Sequence, residues 1–309
     1  MPKYLYVNVI GAFVVSDNLK VIDQEMFHSV KDISSRKLSL ARLGKKYKHL
    51  DSPSPKMFLS IESLFQDKKH QALFHDRNLD LSKQAVKEAI TDDIWLMQCM
   101  AAIEDMEKVQ GILIRRLTEW YGLQNPEGII ALVDQEKMVE LIIKKELKKQ
   151  ANSMGRALLP EMEEKVIELA KQIRDIQSSK NSQQAFLEKS MKNNFPNLCA
   201  LSPPDIIARM MKQAGSLKNF MELPASTIQL LGAEKALFRH LKNKRNKSPK
   251  YGFLFNHPLI QKASQKERGK IARMLADKIA IAARVDYFKG KPIGESLYKQ
   301  VIAKCKISR

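Results

Sequence analysis

Long apolar runs are missing from this chain: no stretch of its 309 residues approaches the roughly 20 apolar residues of a membrane-spanning helix. Cysteine is scarce. Cys99, Cys199 and Cys305 are odd in number and far apart, matching neither a zinc spacing nor a disulfide framework. They fit a reducing, intracellular setting, each as a small thiol in or near a core. The six histidines are scattered, and His70 and His75 lie five apart, off the i, i+4 spacing of a helical metal pair. There is no phosphate-cradling P-loop, no GxGxxG opening a helix, and no GxSxG or Cys–His nucleophile signal. These absences point away from metal, cofactor and catalytic residue alike, and toward a binding or scaffold role.

Acidic residues are scarce in one place. From Pro196 to the end there are 23 basic residues and only 7 acidic, so that segment holds +16 of the chain's formal +19. The preceding 195 residues balance 30 basic against 27 acidic. An excess confined to the last third describes a polyanion-facing module rather than a generally cationic protein. Nucleic acid is the expected polyanion. A membrane surface would call for a long stretch joining a broad apolar face to exposed aromatics, and that third has none.

With 44% hydrophobic and 28% charged residues, two or three largely helical domains are expected. Residues 1–81 read as a small α/β module. Tyr4–Ile10 and Ala12–Val15 are β-prone runs, Asp17-Asn18 supplies a turn before Lys20-Val-Ile, and Met57-Phe-Leu-Ser-Ile reads as a further strand behind the breaker Ser52-Pro-Ser-Pro. The apolar start is interrupted by Asn8 and reads as a strand and turn, not a signal peptide. The basic stretch Arg36 to Lys48 reads as a solvated helix or loop.

Residues 82–195 change texture. Val86, Ile90, Ile94, Met97 and Ala101 form an amphipathic stripe that Ile103, Met106, Val109, Leu113, Leu117 and Trp120 continue, predicting one long helix that ends near Gly122–Pro126. Two further helices, Leu132–Lys149 and Pro160 to about Met191, are joined through Asn152-Ser-Met-Gly. They predict an antiparallel coiled-coil hairpin whose narrow apolar seam suits a second copy or a paralogue.

Residues 196–290 predict an all-helical domain, with 291–309 as a short basic tail. Pro203 and Pro204 open a helix that ends at Gly215, and Lys266 to about Ala283 forms another, with Ile271, Leu275, Ile279 and Ala282 inward and Lys266, Lys270, Arg273 and Arg284 outward. The most informative segment is Pro224–Lys242, PASTIQLLGAEKALFRHLK. There Lys235, Arg239 and Lys242 share one side of a helix while Ala236, Leu237 and Leu241 turn toward a core. A helix starting just after Gly232 also offers free N–H groups and the positive dipole end to an anion. A basic loop, Asn243-Lys-Arg-Asn-Lys-Ser-Pro, and an aromatic run, Tyr251-Gly-Phe-Leu-Phe, follow.

Taken together, Ala214-Gly-Ser-Leu, Pro224-Ala-Ser-Thr-Ile-Gln, Gly232-Ala-Glu-Lys-Ala-Leu-Phe-Arg, Arg268-Gly-Lys-Ile-Ala-Arg and Ile281-Ala-Ala-Arg-Val-Asp closely resemble the Nop domain of box C/D ribonucleoprotein core proteins. Arg116-Leu-Thr-Glu-Trp-Tyr, Ser153-Met-Gly and Pro196-Asn-Leu resemble that family's hairpin landmarks, so the likeness covers about Asp93 to Gly290. The resemblance implies a non-catalytic scaffold. Its N-terminal module would hold fibrillarin, the S-adenosylmethionine-dependent methyltransferase, so the cofactor belongs to the partner. Its coiled coil would self-associate, and its Nop domain would bind a kink-turn in box C/D guide RNA together with a small kink-turn-binding protein. The assembly would carry out guide-directed 2′-O-methylation. On this likeness the RNA- and RNP-binding residues are Gln229, Gly232, Ala233, Glu234, Lys235, Arg239, Lys242, Lys250, Arg268, Lys270 and Arg273. The chain stops at Ser308-Arg309 without a Lys-rich tail, which suggests a compact archaeal-type homodimer in the cytoplasm; a eukaryotic form would be nucleolar. Two alternatives remain open. One is a spliceosomal Nop-domain protein on a small nuclear RNA, which the GAEKALFR run and the N-terminal module disfavour. The other is an RNA-modifying enzyme with its own active site.

Overall fold

The computed structural model describes residues 2–47, 49–131, 134–147 and 152–305. It is mainly helical, with a small antiparallel sheet at the N-terminus. The chain divides into two compact units, Met1–Thr91 and Asp92–Arg309.

In the first unit β1 (Lys3–Val7), β2 (Gly11–Ser16) and β3 (Val21–Met26) pair in that order. Asn8 makes the first turn by accepting the N–H groups of Ile10 (3.0 Å) and Gly11 (3.1 Å) on its side-chain oxygen. The central strand is apolar on both sides, and both are covered. Phe13 and Val15 pack with Tyr6, Ile61 and Phe65, while Ala12 and Val14 pack with Phe27, Ile33 and Leu43. The helices are α1 (Val30–Ser34), α2 (Arg36–Lys46), α3 (Pro55–Ser63) and α4 (Lys68–Ala89). Salt bridges Arg42–Glu25 (3.1 Å) and Lys46–Asp23 (2.6 Å) tie α2 to β3.

Two expectations fail in this unit. Met57-Phe-Leu-Ser-Ile is helix, not strand: Ser54 caps α3 by accepting from Met57 N and Pro55 occupies the first helical position, so the SPSP breaker is a helix start. The long helix expected from Val86 onward breaks at Ile90-Thr91, leaving Val86 and Ile90 exposed. The break lies where Asp92 and Asp93 favour a new helix N-terminus, and Asp93 is bound there by Leu217 N–H at 2.7 Å. The boundary expected at 81/82 therefore falls inside α4.

The second unit begins with α5 (Asp92–Gly122), α6 (Pro126–Ile130), α7 (Gln135–Ile143) and α8 (Pro160–Asn194). The long antiparallel pair is α5 with α8. Cys99 Sγ meets Gln183 O (3.7 Å), Gln110 Nε2 donates to Gln177 Oε1 (2.5 Å), and Tyr121 and Gln124 line one cavity with Glu163 and Val166. The expected partner of α8, a helix over Leu132–Lys149, is only the short α7. It inserts Met138, Val139 and Ile142 among Ile114, Leu117, Val166 and Ile173, while Leu132, Val133, Lys148 and Lys149 lie outside the described residues. Continuous apolar spacing over 31 residues gave α5 the longer face.

The C-terminal bundle contains α9 (Pro196–Leu201), α10 (Pro204–Ala214), α11 (Leu217–Glu222), α12 (Ala225–Leu230), α13 (Glu234–Lys242), a 3-10 turn (Phe253–Asn256), α14 (Pro258–Lys262), α15 (Arg268–Tyr287) and α16 (Gly294–Cys305). Helix α15 is its axis. Ile271, Leu275, Ile279 and Ala282 are buried as their spacing predicts, and Ala272, Ala276 and Ala283 allow α9, α11, α12 and α16 to approach closely. Residues 291–305 are no tail, because Leu297 and Val301 of α16 are buried in this core; Ser308 and Arg309 lie outside the described residues. One buried polar clamp joins three helices. Asp286 accepts from Asn197 N, Asn197 Nδ2 and Leu198 N at 3.2, 2.7 and 2.9 Å. Asn197 Oδ1 in turn accepts from Ile293 N and Gly294 N at 2.7 and 2.8 Å, closing the start of α16. Burial pushes the Asp286 carboxyl above the usual carboxylate range against the pull of these donors.

Candidate nucleic-acid interface

The site is built where α12 hands over to α13. Gly232 adopts φ +87°, a conformation that favours glycine, and a Cβ there would lie 2.8 Å from the Phe253 ring. Its N–H is taken by Glu234 Oε1 (2.8 Å), and that of Ala233 by Leu230 O (2.8 Å). The anion-accepting N–H groups expected just after Gly232 are thus confined to the first turn of α13 itself.

Helix α13 stands well out from the bundle and none of its residues is buried. Lys235, Arg239 and Lys242 are exposed on one side, as their spacing requires. Ala236 and Leu237 are half-buried, but Leu241 is 53% exposed and Phe238 67%. The expected inward turn of Leu241 does not occur, because the helix end is held by its own loop rather than by the core. His240 Nδ1 pairs with Asn246 O (2.6 Å) and Asn246 Nδ2 donates to Arg239 O (3.2 Å). That loop leaves Lys244, Arg245 and Lys247 exposed.

The chain then returns beside α12. Gly252 N donates to Gln229 O (3.1 Å), Phe253 N to Leu231 O (2.8 Å), and Gln229 Nε2 to Lys250 O (2.6 Å). Only glycine fits at 252, since a Cβ would sit 1.8 Å from Leu231 O. The Lys250 stem passes over Gly269 at the start of α15, between Arg268 and Lys270 in the chain. Arg268 is half-buried and committed internally: its Nε donates to Ala263 O (3.1 Å) and its guanidinium lies 5.7 Å from the Phe255 ring, itself stacked on Tyr251. Gln229 likewise spends its amide on the Lys250 carbonyl. Both read as organising residues, whereas Lys235, Arg239, Lys242, Lys250, Lys270 and Arg273 are exposed cations. Arg273 lies one turn further along α15. Lys266 precedes that helix instead of belonging to it.

Charge pairing separates two faces of the bundle. Toward α5, Lys212 pairs with Glu104, and Arg209 with Glu104 and Glu107. Beyond Lys212, no Lys or Arg has a carboxylate within salt-bridge distance among the described residues. Of the six acids there, Glu234 is taken by Gly232 N–H, Glu267 by Ser264 Oγ and Asp286 by the clamp, while Asp277 and Glu295 are exposed. No group of three metal-ligating side chains occurs among the described residues, and no described helix is long and apolar enough to cross a membrane. The buried titratable groups are structural. Burial drives the Cys199 thiol up to about 12 and holds His257 below its ordinary value. Sequence reasoning missed Gly252, Phe253 and the Asn197–Asp286 clamp; a glycine between two aromatics was the available signal for the first two.

Fold and charge define an exposed basic helix and loop mounted on a helical bundle, which extends from a long antiparallel helix pair. Residues 128–306 match the family model Nop, described as snoRNA binding domain, fibrillarin. The chain belongs to the Nop family. It is 36% identical over 251 residues to a NOP5 family protein of Methanocaldococcus jannaschii, covering 74% of this chain and 60% of that one. It is 38% identical over 216 residues to Nucleolar protein 58 of Scheffersomyces stipitis (63% and 42% of the two chains). To Nucleolar protein 56 of Caenorhabditis elegans it is 33% identical over 241 residues (68% and 49%). The chain thus spans between two fifths and three fifths of the length of these relatives. A chain of a solved fibrillarin/Nop5p complex aligns with TM-score 0.48 and 22% identity, over 99% of this chain and all of that one.

Proposed function

We propose that this protein is a non-catalytic scaffold of a box C/D ribonucleoprotein. It binds kink-turn guide RNA together with a small kink-turn-binding protein and positions fibrillarin for guide-directed 2′-O-methylation. The observation that carries this reading is the set of exposed cations without carboxylate partners on α13, its loop and the start of α15, all within the segment that matches a snoRNA binding domain. A phosphate backbone is the complementary surface for such a set. Lys235, Arg239 and Lys242 supply the cationic face of α13, Lys250, Lys270 and Arg273 extend it, and Gly232, Ala233, Glu234, Gln229 and Arg268 fix the backbone that carries them. The scaffold's contribution to the reaction is distance and orientation between methyltransferase and target, and S-adenosylmethionine belongs to the partner.

Self-association through the tip of the helix pair is part of the proposal. Trp120, Leu123, Leu159 and Met162 remain 42%, 66%, 64% and 55% exposed there, an apolar patch that a second copy or a paralogue would cover. In a eukaryotic cell the protein would be nucleolar, as the names of two relatives indicate for those proteins; an archaeal form would be cytoplasmic.

The test is binding to a kink-turn RNA across a salt series, with and without the small kink-turn protein. Tight binding only with both present, lost in Lys235→Ala/Arg239→Ala, is the expected result. Equal, weak and purely salt-driven binding in both cases would refute the reading, as would methylation by this chain without fibrillarin.

A further inference from the structure

The exposed face of α15 carries a pattern that the kink-turn reading leaves unused. Lys270, Arg273, Asp277, Ile281, Arg284 and Phe288 follow one another at spacings of 3, 4, 4, 3 and 4. At about 100° per residue they stay within one narrow sector of the helix, opposite the buried Ile271, Leu275 and Ile279. Lys270, Arg273, Asp277 and Arg284 are exposed and Ile281 is half-buried. The stripe runs about 27 Å from Lys270 to Phe288 at a helical rise of ~1.5 Å per residue.

It ends on an aromatic ring held out in solvent. Phe288 is 70% exposed, its only ring neighbour among the described residues being Tyr287 in an edge contact at 5.0 Å. This is no loose end. Phe288 N donates to Arg284 O (3.0 Å), Lys289 N to Asp286 O (3.2 Å) and Gly290 N to Val285 O (2.8 Å). Lys289 is held at φ +52°, in the left-handed region, and the Asn197–Asp286 clamp lies directly beneath. Lys289 and Lys291, both exposed, follow the ring in the chain. The other end of the stripe adjoins the candidate interface, where the Lys250 stem crosses Gly269. A cationic track that ends on a fixed, solvent-facing aromatic suits single-stranded nucleic acid, whose phosphates follow the cations while an unpaired base stacks on the ring.

We propose that the exposed face of α15 is a second RNA-binding surface. It guides an unpaired RNA strand from the Lys250–Lys270 corner along Arg273 and Arg284 to a base stacked on Phe288. The proposal rests on the RNA-binding reading above, and its test separates the two. The full-length chain, with the small kink-turn protein, is titrated with four probes. These are a bare kink-turn stem, the stem with ten unpaired uridines added to either end, the stem with ten abasic ribose-phosphate units, and a free uridine decamer.

The bare stem tests the first reading; the increment from the uridines tests this one. Uridines should tighten binding about five- to 150-fold relative to abasic units, as one stacked base would. Phe288→Leu should abolish that difference, Phe288→Tyr should keep it, and neither should alter binding of the bare stem. Arg284→Gln should lower the salt slope by about 0.7 for extended probes only, and Asp277→Asn should strengthen them. If the stem fails to bind but the decamer binds in a Phe288-dependent way, the track stands and the kink-turn reading falls. Equal binding of uridine and abasic extensions overturns the proposal, as does an increment that survives Phe288→Leu. A change in sedimentation on Phe288→Leu also overturns it, by showing that the ring covers another protein copy.

Discussion

Removing the Asn197 side chain should loosen the whole C-terminal bundle, because one amide closes three helices at once. Asn197→Ala deletes a 2.7 Å bond to the Asp286 carboxylate and the acceptor shared by Ile293 N and Gly294 N at 2.7 and 2.8 Å. A hydrogen bond to a charged group contributes about 1.5–3 kcal/mol, and each buried N–H left unmade costs about 1–3 kcal/mol. The sum is ~3–6 kcal/mol once a water is allowed to recover part of the loss in the vacated space. That is a large share of the ~5–15 kcal/mol that holds a typical domain together. Trp95 and Trp120 are the chain's two tryptophans and both lie on α5 in the second unit, so urea unfolding followed by tryptophan fluorescence reports that unit. Amide exchange at Ile293 and Gly294 provides the local measurement. Asn197→Asp is the informative control: it keeps the acceptor but sets a second carboxylate against Asp286, so its deficit should shrink as the pH falls. A loss below about 1 kcal/mol for Asn197→Ala, with exchange at Ile293 and Gly294 unchanged, would refute the clamp argument.

Other expectations follow from single contacts. His257 is buried, donating from Nε2 to Leu201 O (3.0 Å) and accepting from Leu259 N at Nδ1 (3.1 Å), so both ring nitrogens are committed to the neutral form. Its folded pKa is held below the ordinary 6.5. Stability from this site is therefore fully present above pH 6.5 and is lost as pH falls toward the folded value, at up to about 1.4 kcal/mol per pH unit; His257→Gln should flatten that slope in urea titrations. Gly252→Ala forces a Cβ to within 1.8 Å of Leu231 O, so the 250–253 segment must move. RNA affinity should fall about tenfold or more while the long helix pair keeps its circular dichroism, and unchanged affinity would deny that this segment shapes the site. Cys199, with its thiol driven up to about 12 by burial, should resist alkylation at neutral pH until the second unit unfolds, as mass spectrometry across a urea series would show.

The parts of this architecture that were legible in the sequence are those that local chemistry decides. The β-prone runs Tyr4–Ile10 and Ala12–Val15 marked the first two strands, and the spacing of Ile271, Leu275, Ile279 and Ala282 named the buried face of α15. Prolines 203 and 204 with Gly215 fixed both ends of α10. Misreadings occurred where one signal serves two structures. The SPSP segment is a turn breaker by composition but a helix start once Ser54 finds Met57 N. A seam of apolar residues on α8 accepts either of two helices, and no local feature says that α5 outcompetes the 132–149 segment. In the site the cations were legible, since lysine and arginine at helical spacing advertise a face. The framework was not, because Gly252 against Leu231 O and Asn197 under Asp286 are contacts across 21 and 89 residues of chain.

The distribution of ion pairs explains why the cations could be read so directly. Where a lysine has a structural task, as Lys212 has against Glu104, the sequence supplies an acid on the facing helix. Beyond that point acids are few, and three of them are turned to a backbone N–H, a serine hydroxyl and the buried clamp. The second unit thus keeps its bundle together by apolar packing on α15 and a few neutral or buried polar ties, and does not rely on surface charge for stability. That division of labour makes a sharp prediction. Replacing Lys235, Lys242, Lys270 and Arg273 together with glutamine should leave the unfolding free energy from urea titration within about 0.5 kcal/mol of the parent or raise it, because exposed unpaired cations repel one another and contribute little to folding. The same variant should lose about three units of salt slope in RNA binding, at ~0.7–0.9 for each phosphate contact. Loss of stability without loss of slope would mean that these cations serve the fold, and that the basic face was misread.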